Sequence, residues 1–233
     1  VSTEELKRIA AESAASLVQD GDVVGLGTGS TAKHVLVALS RRVRQEGVRI
    51  TGIPTSADTR IFATSLGLKL STLEEHPEVD IAIDGADQLT EGLELVKGGG
   101  GALLREKVVA SCAKRFVVVA DESKLVERLS MPVPVEVLPF AWKPAERALM
   151  GMGARRVSLR SGSGKAGPVV TDNGNYILDA DFGEIGEPET LEAKINRITG
   201  VVENGIFCPE MVSEVHLGTG AGVRVLRLPR DGK

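Results

Sequence analysis

The chain has 233 residues, of which 42% are apolar and 26% charged, and its 28 basic and 32 acidic side chains give a formal charge of −4. This is the composition of a globular protein long enough to bury about 70% of its unfolded surface, and the acidic balance argues against nucleic acid as the main partner, because phosphate neutralisation needs a basic face. No apolar run approaches the roughly 18 residues of a membrane span, and the two cysteines, Cys112 and Cys208, make neither a disulfide framework nor a Cys-x-x-Cys pair, so a reducing, cytoplasmic compartment is expected.

Residues 1–5 lack the basic and apolar pattern of a signal peptide, and the missing initial Met leaves a removed leader open. Residues 1–20 predict an amphipathic helix. Leu6, Ile9, Ala10, Ser13, Ala14 and Leu17 follow the i, i+3, i+4 spacing, Ser2 and Glu5 have capping-box spacing, and Gly21 follows the last apolar turn. A strand over 23–27 runs into a glycine loop and a helix over 31–43, the opening of a βα unit. The pattern repeats with a strand over 49–53, a helix over 57–66, a short strand over 69–71 and a strand over 79–83 that stops at Asp84. Residues 95–96 predict a short strand, 102–114 a helix and 116–120 a strand. Such alternation implies an α/β fold, a Rossmann-like and mostly parallel sheet with helices on both faces.

The texture changes near residue 130. Residues 131–135 are proline-spaced and extended, 145–152 predict a helix and 155–159 a strand, and 160–167 form a basic, glycine-rich loop. Residues 169–171 and 176–178 flank Asn173-Gly174 as a hairpin, and 188–198 predict a helix. Two strand runs over 214–228 surround Gly218 to Gly222 and return to the main sheet. The expected organisation is a catalytic unit of residues 1–130 with 206–233, and a smaller α+β unit of residues 131–205 that serves as a lid or oligomerisation element.

The 27 glycines stand well above the typical share of about 7%, and their placement is informative. Gly25, Gly27 and Gly29 with Ser30 and Thr31 resemble a dinucleotide fingerprint, but Ser30 takes the third glycine position and no acidic residue ends a following strand to hold a ribose. Backbone N–H groups and hydroxyls at a helix start suit a phosphate; a plain βα turn capped by Ser30 or Thr31 is the other reading. Asp84-Gly85-Ala86-Asp87 puts two carboxylates at a strand's carboxyl end, where ligands bind in open α/β sheets. They could equally cap the next element. Three scattered histidines offer no metal cluster, although a magnesium site needs none. Lys97 precedes four glycines, which suit close approach of backbone to a ligand, and Glu106 follows in the next helix. A carboxylate base beside a lysine, near a phosphate site, suits removal of a proton next to a carbonyl. After the 116–120 strand, Asp121 and Glu122 suit a capped turn and Lys124 suits a phosphate or hydroxyl. Only seven aromatic residues leave few platforms for stacking a base or flavin.

Gly-x-Gly-Thr-Gly-Ser-Thr at 25–31, Asp-Gly-Ala-Asp at 84–87, Lys-Gly-Gly-Gly at 97–100, Leu-x-Arg-Glu-Lys at 103–107 and Val-Thr-Asp-Asn-Gly-Asn at 170–175, in this order and across nearly the whole chain, resemble the type A ribose-5-phosphate isomerases. The resemblance implies interconversion of D-ribose 5-phosphate and D-ribulose 5-phosphate in the pentose phosphate pathway, with no cofactor and no metal, by a homodimer or homotetramer. It implies Glu106 as proton acceptor, with Lys97, Asp84 and Asp87 as its catalytic companions. Substrate binding falls on Thr28, Gly29, Ser30 and Thr31, on Asp84, Gly85, Ala86 and Asp87, on Lys97, Gly98, Gly99 and Gly100, and on Lys124 and Lys7. Two departures stand out: Gln88, where many relatives carry an acidic residue, and the basic glycine-rich loop at 160–167. A sugar-phosphate sensor without turnover and a nicotinamide-dependent oxidoreductase are the alternatives. The first is disfavoured by the lack of a DNA-binding domain or basic patch, the second by Ser30 and the missing ribose acid.

Overall fold

The computed structural model describes residues 1–162 and 166–229; residues 163–165 of the predicted basic loop lie outside them. Helix α1 (Thr3–Ala15) starts where expected, with the Glu5 N–H donating to Ser2 Oγ at 3.2 Å. It ends earlier than its apolar spacing suggests, because Arg42 Nη1 donates to the carbonyls of Ala15 and Val18, both at 2.7 Å, and turns the chain there. Next come β1 (Val23–Leu26), α2 (Ser30–Glu46), β2 (Thr51–Pro54), α3 (Ala57–Ser65) and β3 (Val79–Gly85). The strand predicted at 69–71 is only a single bridge between Leu70 and Gly52.

Two short strands, β4 (Gln88–Leu89) and β5 (Leu95–Val96), precede α4 (Leu103–Ser111) and β6 (Ala113–Asp121). The later segment holds β7 (Val133–Val137), α5 (Trp142–Gly151), β8 (Arg156–Leu159), β9 (Tyr176–Asp181), α6 (Pro188–Asn196) and β10 (Val201–Asn204). The chain closes with β11 (Ile206–Phe207), β12 (Glu214–Thr219) and β13 (Gly222–Leu226). Of the hairpin predicted around Asn173-Gly174, the turn forms, closed by Thr171 N–H on the Asn175 carbonyl at 2.9 Å. Its first arm is reduced to a single antiparallel bridge between Val170 and Tyr176, because from Leu178 onward β9 pairs with β8 instead.

Three sheets result. The main sheet has the order β13-β12-β6-β3-β1-β2, parallel throughout except for the antiparallel edge β13. Its inner strands are buried on both faces, so residues alternate between two cores: Val117 and Val119 of β6 pack with Ala10, Ala14, Leu36 and Leu39 under α1 and α2. Phe116, Val118 and Ala120 pack with Val109 and Ala110 of α4. A four-stranded antiparallel sheet, β10-β7-β9-β8, builds a third core with α5 and α6 around Val135, Leu149, Leu178 and Ile195. A three-stranded sheet, β11-β5-β4, joins the two regions. Gln88 of β4 reinforces the join, accepting at Oε1 from the N–H groups of Ser130 and Met131 at 2.7 and 3.0 Å. Among the described residues no helix is long and apolar enough to cross a membrane.

The strand order sets the position of the site. From β1 the chain moves to β2 on one side and then to β3 on the other. Ligands in open α/β sheets bind beyond the carboxyl ends of strands where the order reverses in this way. Helix α1 covers the same region by close backbone contact: a Cβ on Gly218 of β12 would lie 2.0 Å from the Leu6 carbonyl oxygen. Gly218→Ala is therefore expected to push α1 off the sheet and cost about 1–3 kcal/mol, read as a lowered unfolding midpoint in urea; an unchanged midpoint would show that α1 docks loosely.

Candidate active site

Four loops meet beyond the carboxyl ends of β1, β3, β5 and β6. They enclose a cavity of about 120 Å³ whose walls include Lys7, Thr28 to Thr31, Gly85 to Asp87, Lys97 to Gly100, Glu106 and Lys124. Every sequence-predicted site residue except Asp84 lines it. Asp84 is 3% exposed and stands behind the wall, in a region it lines together with Glu106, Ile83, Val109 and Phe116.

The β1 loop is shaped for an anion. Gly29, at φ +109°, is the residue before α2, and no side chain caps the helix. Ser30 and Thr31, expected as caps, are instead its first two residues. The first-turn N–H groups thus face the cavity without a side-chain partner, an anion-binding arrangement. Lys7 adds charge from α1, its Nζ donating to Ser30 Oγ at 3.1 Å. Behind the loop, Thr28 Oγ1 lies 2.8 Å from the hydroxyls of Thr55 and Ser56 and 3.0 Å from that of Thr59. Sequence reasoning missed this hydroxyl cluster; the Thr55-Ser56 pair after β2 was its one visible sign. Gly27 is obligatory for packing, because a Cβ there would lie 2.2 Å from Asp84 Oδ1.

At the floor lies a buried trio. Lys97 Nζ stands 3.0 Å from Asp84 Oδ2 and 3.3 Å from Glu106 Oε2, and donates to the Gly85 carbonyl at 2.5 Å. Lys97 is 2% and Glu106 5% exposed, so Glu106 is not the solvated helix carboxylate its sequence context allows. Asp84 Oδ1 also accepts from the N–H groups of Gly85 and Thr28 at 2.7 and 3.1 Å. Lys97 Nζ therefore fills the space between the two carboxylates that a cation would occupy.

Two carboxylates share one ammonium, and this decides the protonation. Burial, and then the Asp84 charge, push Glu106 up to about 8, against the pull of Lys97. Burial also raises Asp84, opposed by Lys97 and by the two backbone N–H groups; those extra donors make Asp84 the better place for the negative charge. Burial works against the Lys97 ammonium, but Asp84 and Glu106 outweigh it and hold it protonated, above the usual lysine range. A carboxylate poised near neutrality beside a fixed cation is suited to taking and returning a proton.

The remaining residues form the rim. Asp87 is half-buried and accepts from Gly99 N–H at Oδ2, 2.7 Å away. Gly98 holds φ +110°, a backbone shape that side chains rarely adopt. Lys124 sits in the turn after β6, which Asp121 closes by accepting from Ser123 N–H at 3.1 Å. Sequence reasoning also missed Arg160, whose Nη1 reaches the Gly98 carbonyl at 2.7 Å.

A buried carboxylate beside a lysine ammonium, at the bottom of a cavity walled by lysines and a helix start and set at the switch point of a parallel sheet, suits an α/β enzyme that moves a proton, as the aldose–ketose isomerases do. Similarity to known proteins carries this further. Residues 51–222 match the family model of ribose 5-phosphate isomerase A (phosphoriboisomerase A). The chain is 51% identical to ribose-5-phosphate isomerase A of Methanothermobacter thermautotrophicus, over 95% of this chain and 97% of that one. It is 50% identical to the Gloeobacter violaceus protein of the same name, over 95% of each. The solved enzyme from Methanocaldococcus jannaschii superposes with a TM-score of 0.93 at 48% identity, covering 97% of this chain and 100% of that one. A D-ribose-5-phosphate isomerase in complex with phospho-erythronic acid superposes with a TM-score of 0.94 at 41% identity, covering 98% of this chain and 100% of that one. The chain belongs to the ribose 5-phosphate isomerase A family.

The raised Glu106 pKa has a consequence for stability. A carboxyl raised in the folded chain contributes stability that is fully present below its ordinary value of 4.5 and is lost as pH rises through about 8. Glu106→Gln removes that loss. The melting temperature of the variant relative to the unmodified chain should climb between about pH 5 and about pH 9; a difference that stays constant with pH would contradict the raised pKa.

Proposed function

We propose that this chain interconverts D-ribose 5-phosphate and D-ribulose 5-phosphate through an enediolate, with Glu106 as the general base, as part of the pentose phosphate pathway. The observation that carries the reading is the position of Glu106: buried at the cavity floor, with Lys97 Nζ 3.3 Å from its carboxylate. The relative solved with phospho-erythronic acid, a phosphorylated four-carbon sugar acid, supports a ligand of this size and charge.

The substrate phosphate sits on the uncapped start of α2, between Lys7 and Lys124, with the hydroxyls of Ser30 and Thr31 in reach. Asp87, on the rim, assists ring opening; Asp84, behind the wall, orients Lys97 instead. Glu106 then removes the C2 proton of the open aldose. Lys97 and backbone N–H groups of the glycine run stabilise the oxyanion that develops at O1. Reprotonation at C1 by the same carboxyl, with transfer of the O2 proton to O1, gives the ketose, and no electrons leave the substrate. Triosephosphate isomerase pairs a carboxylate base with an electrophile to the same end.

The two-unit division belongs to this proposal: residues 1–130 with 206–233 carry the chemistry, and residues 131–205 brace it. So does assembly into a homodimer or homotetramer, supported by the fully exposed Phe140 and half-exposed Leu138 on the smaller unit. The free thiols of Cys112 and Cys208 support a reducing, cytoplasmic setting.

The deciding experiment mixes EDTA-treated protein with ribose 5-phosphate and follows ribulose 5-phosphate. Glu106→Gln should lose about 10²–10⁴-fold in kcat while remaining folded; near-normal turnover by the folded variant would refute the assignment. Saturable binding without turnover by the unmodified chain would favour a sensor. With Glu106 near 8 in the free protein, kcat/KM should fall about tenfold per pH unit well below that value, and a flat profile would remove Glu106 from the proton transfer. Lys97→Ala should reduce kcat more than it raises KM. A pure KM effect would make Lys97 a binding residue only.

A further inference from the structure

Arg160 reaches from the smaller unit into the glycine run. Its backbone is held on both sides: its N–H donates to the Ile177 carbonyl and its carbonyl accepts from Val169 N–H, both at 2.8 Å. Its guanidinium is oriented by Asp179 of β9, with Nε on Oδ2 at 2.9 Å and Nη2 on Oδ1 at 2.5 Å. This bidentate pairing fixes the plane of the fork. The third nitrogen, Nη1, then donates to two successive carbonyls, Gly98 at 2.7 Å and Gly99 at 3.2 Å.

Those contacts determine where the N–H groups of the run can point. In a trans peptide the carbonyl and the following N–H lie on opposite sides, and the described residues contain no cis bond. The Gly98–Gly99 peptide is therefore held at both ends, by Arg160 on its carbonyl and by Asp87 Oδ2 on its N–H at 2.7 Å. The Gly99–Gly100 peptide is held only at its carbonyl. The Gly100 N–H on its far side makes no hydrogen bond among the described residues, and Gly100 lines the cavity. Successive glycines would otherwise have the greatest backbone freedom of any residues.

We propose that Arg160, oriented by Asp179, is a positioning residue for the isomerisation: it sets the peptide plane that presents the Gly100 N–H to the substrate oxygen on which negative charge develops. This rests on the reading of the cavity as the isomerase site. A lysine could not replace it, because one ammonium cannot grip Asp179 in the plane and also reach both carbonyls.

Arg160→Met and Asp179→Asn test the proposal beside the unmodified chain and Glu106→Gln. Asp179→Asn disturbs the guanidinium without touching the glycine run, so it carries the test if Arg160→Met fails to fold. Arg160→Met should lose about 100-fold in kcat, the scale of a 1 Å misplacement at a reacting centre, with KM nearly unchanged; Asp179→Asn should lose less, in the same sense. The inhibition constant of phospho-erythronic acid, whose carboxylate carries charged oxygens like those of the enediolate, should rise in both variants, while that of inorganic phosphate stays constant. Normal kcat in both folded variants, or equal weakening of both inhibitors, would overturn the role of Arg160 and leave Glu106 in place. An unmodified chain without turnover would overturn both readings at once.

Discussion

The structure around the site depends on one buried ammonium. Lys97 is almost wholly removed from water, and an isolated charge there would cost several kcal/mol. Its partners come from elsewhere in the fold: Asp84 lies on β3, Glu106 lies on α4, and the Gly85 carbonyl closes the set. Lys97 itself follows β5 of the small connecting sheet. Satisfying this single charge thus ties the main sheet, the connecting sheet and α4 to one point. The arrangement also leaves one negative charge more than it neutralises, and that surplus, with burial, raises Glu106 toward neutrality. The same contacts that hold the elements together make the carboxyl a usable proton carrier.

The second constraint is steric. Beyond β1 and β3 two loops must pass close enough for Asp84 to accept from Thr28 N–H across the gap, and only glycine at 27 leaves room for its carboxylate. This approach also leaves the start of α2 bare. A side-chain cap at Gly29 would stabilise the helix but would occupy the N–H groups available to a phosphate. The uncapped helix and the glycine run share a logic: both leave backbone donors unpaired where a ligand can use them, at some cost to the stability of the empty site.

Much of this was legible in the sequence. The parallel sheet followed from apolar runs alternating with helical spacing, and the site followed from polar or glycine-rich stretches placed at strand ends. The failures have physical causes. The strand expected at 69–71 pairs with β2 at Gly52 alone, an extent that no local pattern reveals. Ser30 and Thr31 look like caps because hydroxyls usually serve as such, but the positive φ of Gly29 starts the helix one residue early. Asp84 and Asp87 look equivalent in the motif, yet the strand continues through Asp84 and places it behind the wall, while Asp87 comes out at the rim. Arg160 was hidden by distance: it lies more than sixty residues from the loop it braces, and only the pairing of β8 with β9 aims it there.

The Arg105-Glu106-Lys107 motif shows why so many residues outside the cavity are needed. Successive helical residues point about 100° apart, so these three side chains leave α4 in three directions. Glu106 enters the site. Arg105 reaches the turn at 172–175, with Nε on Asn173 Oδ1 at 2.7 Å and Nη2 on the Asp172 carbonyl at 3.0 Å. Lys107 is buried and pairs with Glu203 at 2.8 Å and Glu192 at 3.2 Å. The turn in its own right is built on the buried Glu136, whose Oε1 accepts from Thr171, Asn173 and Asn175 at 2.8–3.0 Å. It also touches the other side of the site, since Asp172 Oδ2 accepts from Ala57 N–H at the start of α3. Helix α4 has nine residues and packs Val109 and Ala110 into the core, yet a residual rotation of a few degrees would move the Glu106 carboxylate relative to Lys97. Two polar anchors on either side of the proposed base remove that freedom. The Val-Thr-Asp-Asn-Gly-Asn segment therefore serves the site without lining it: it is the part of the smaller unit that holds the helix still.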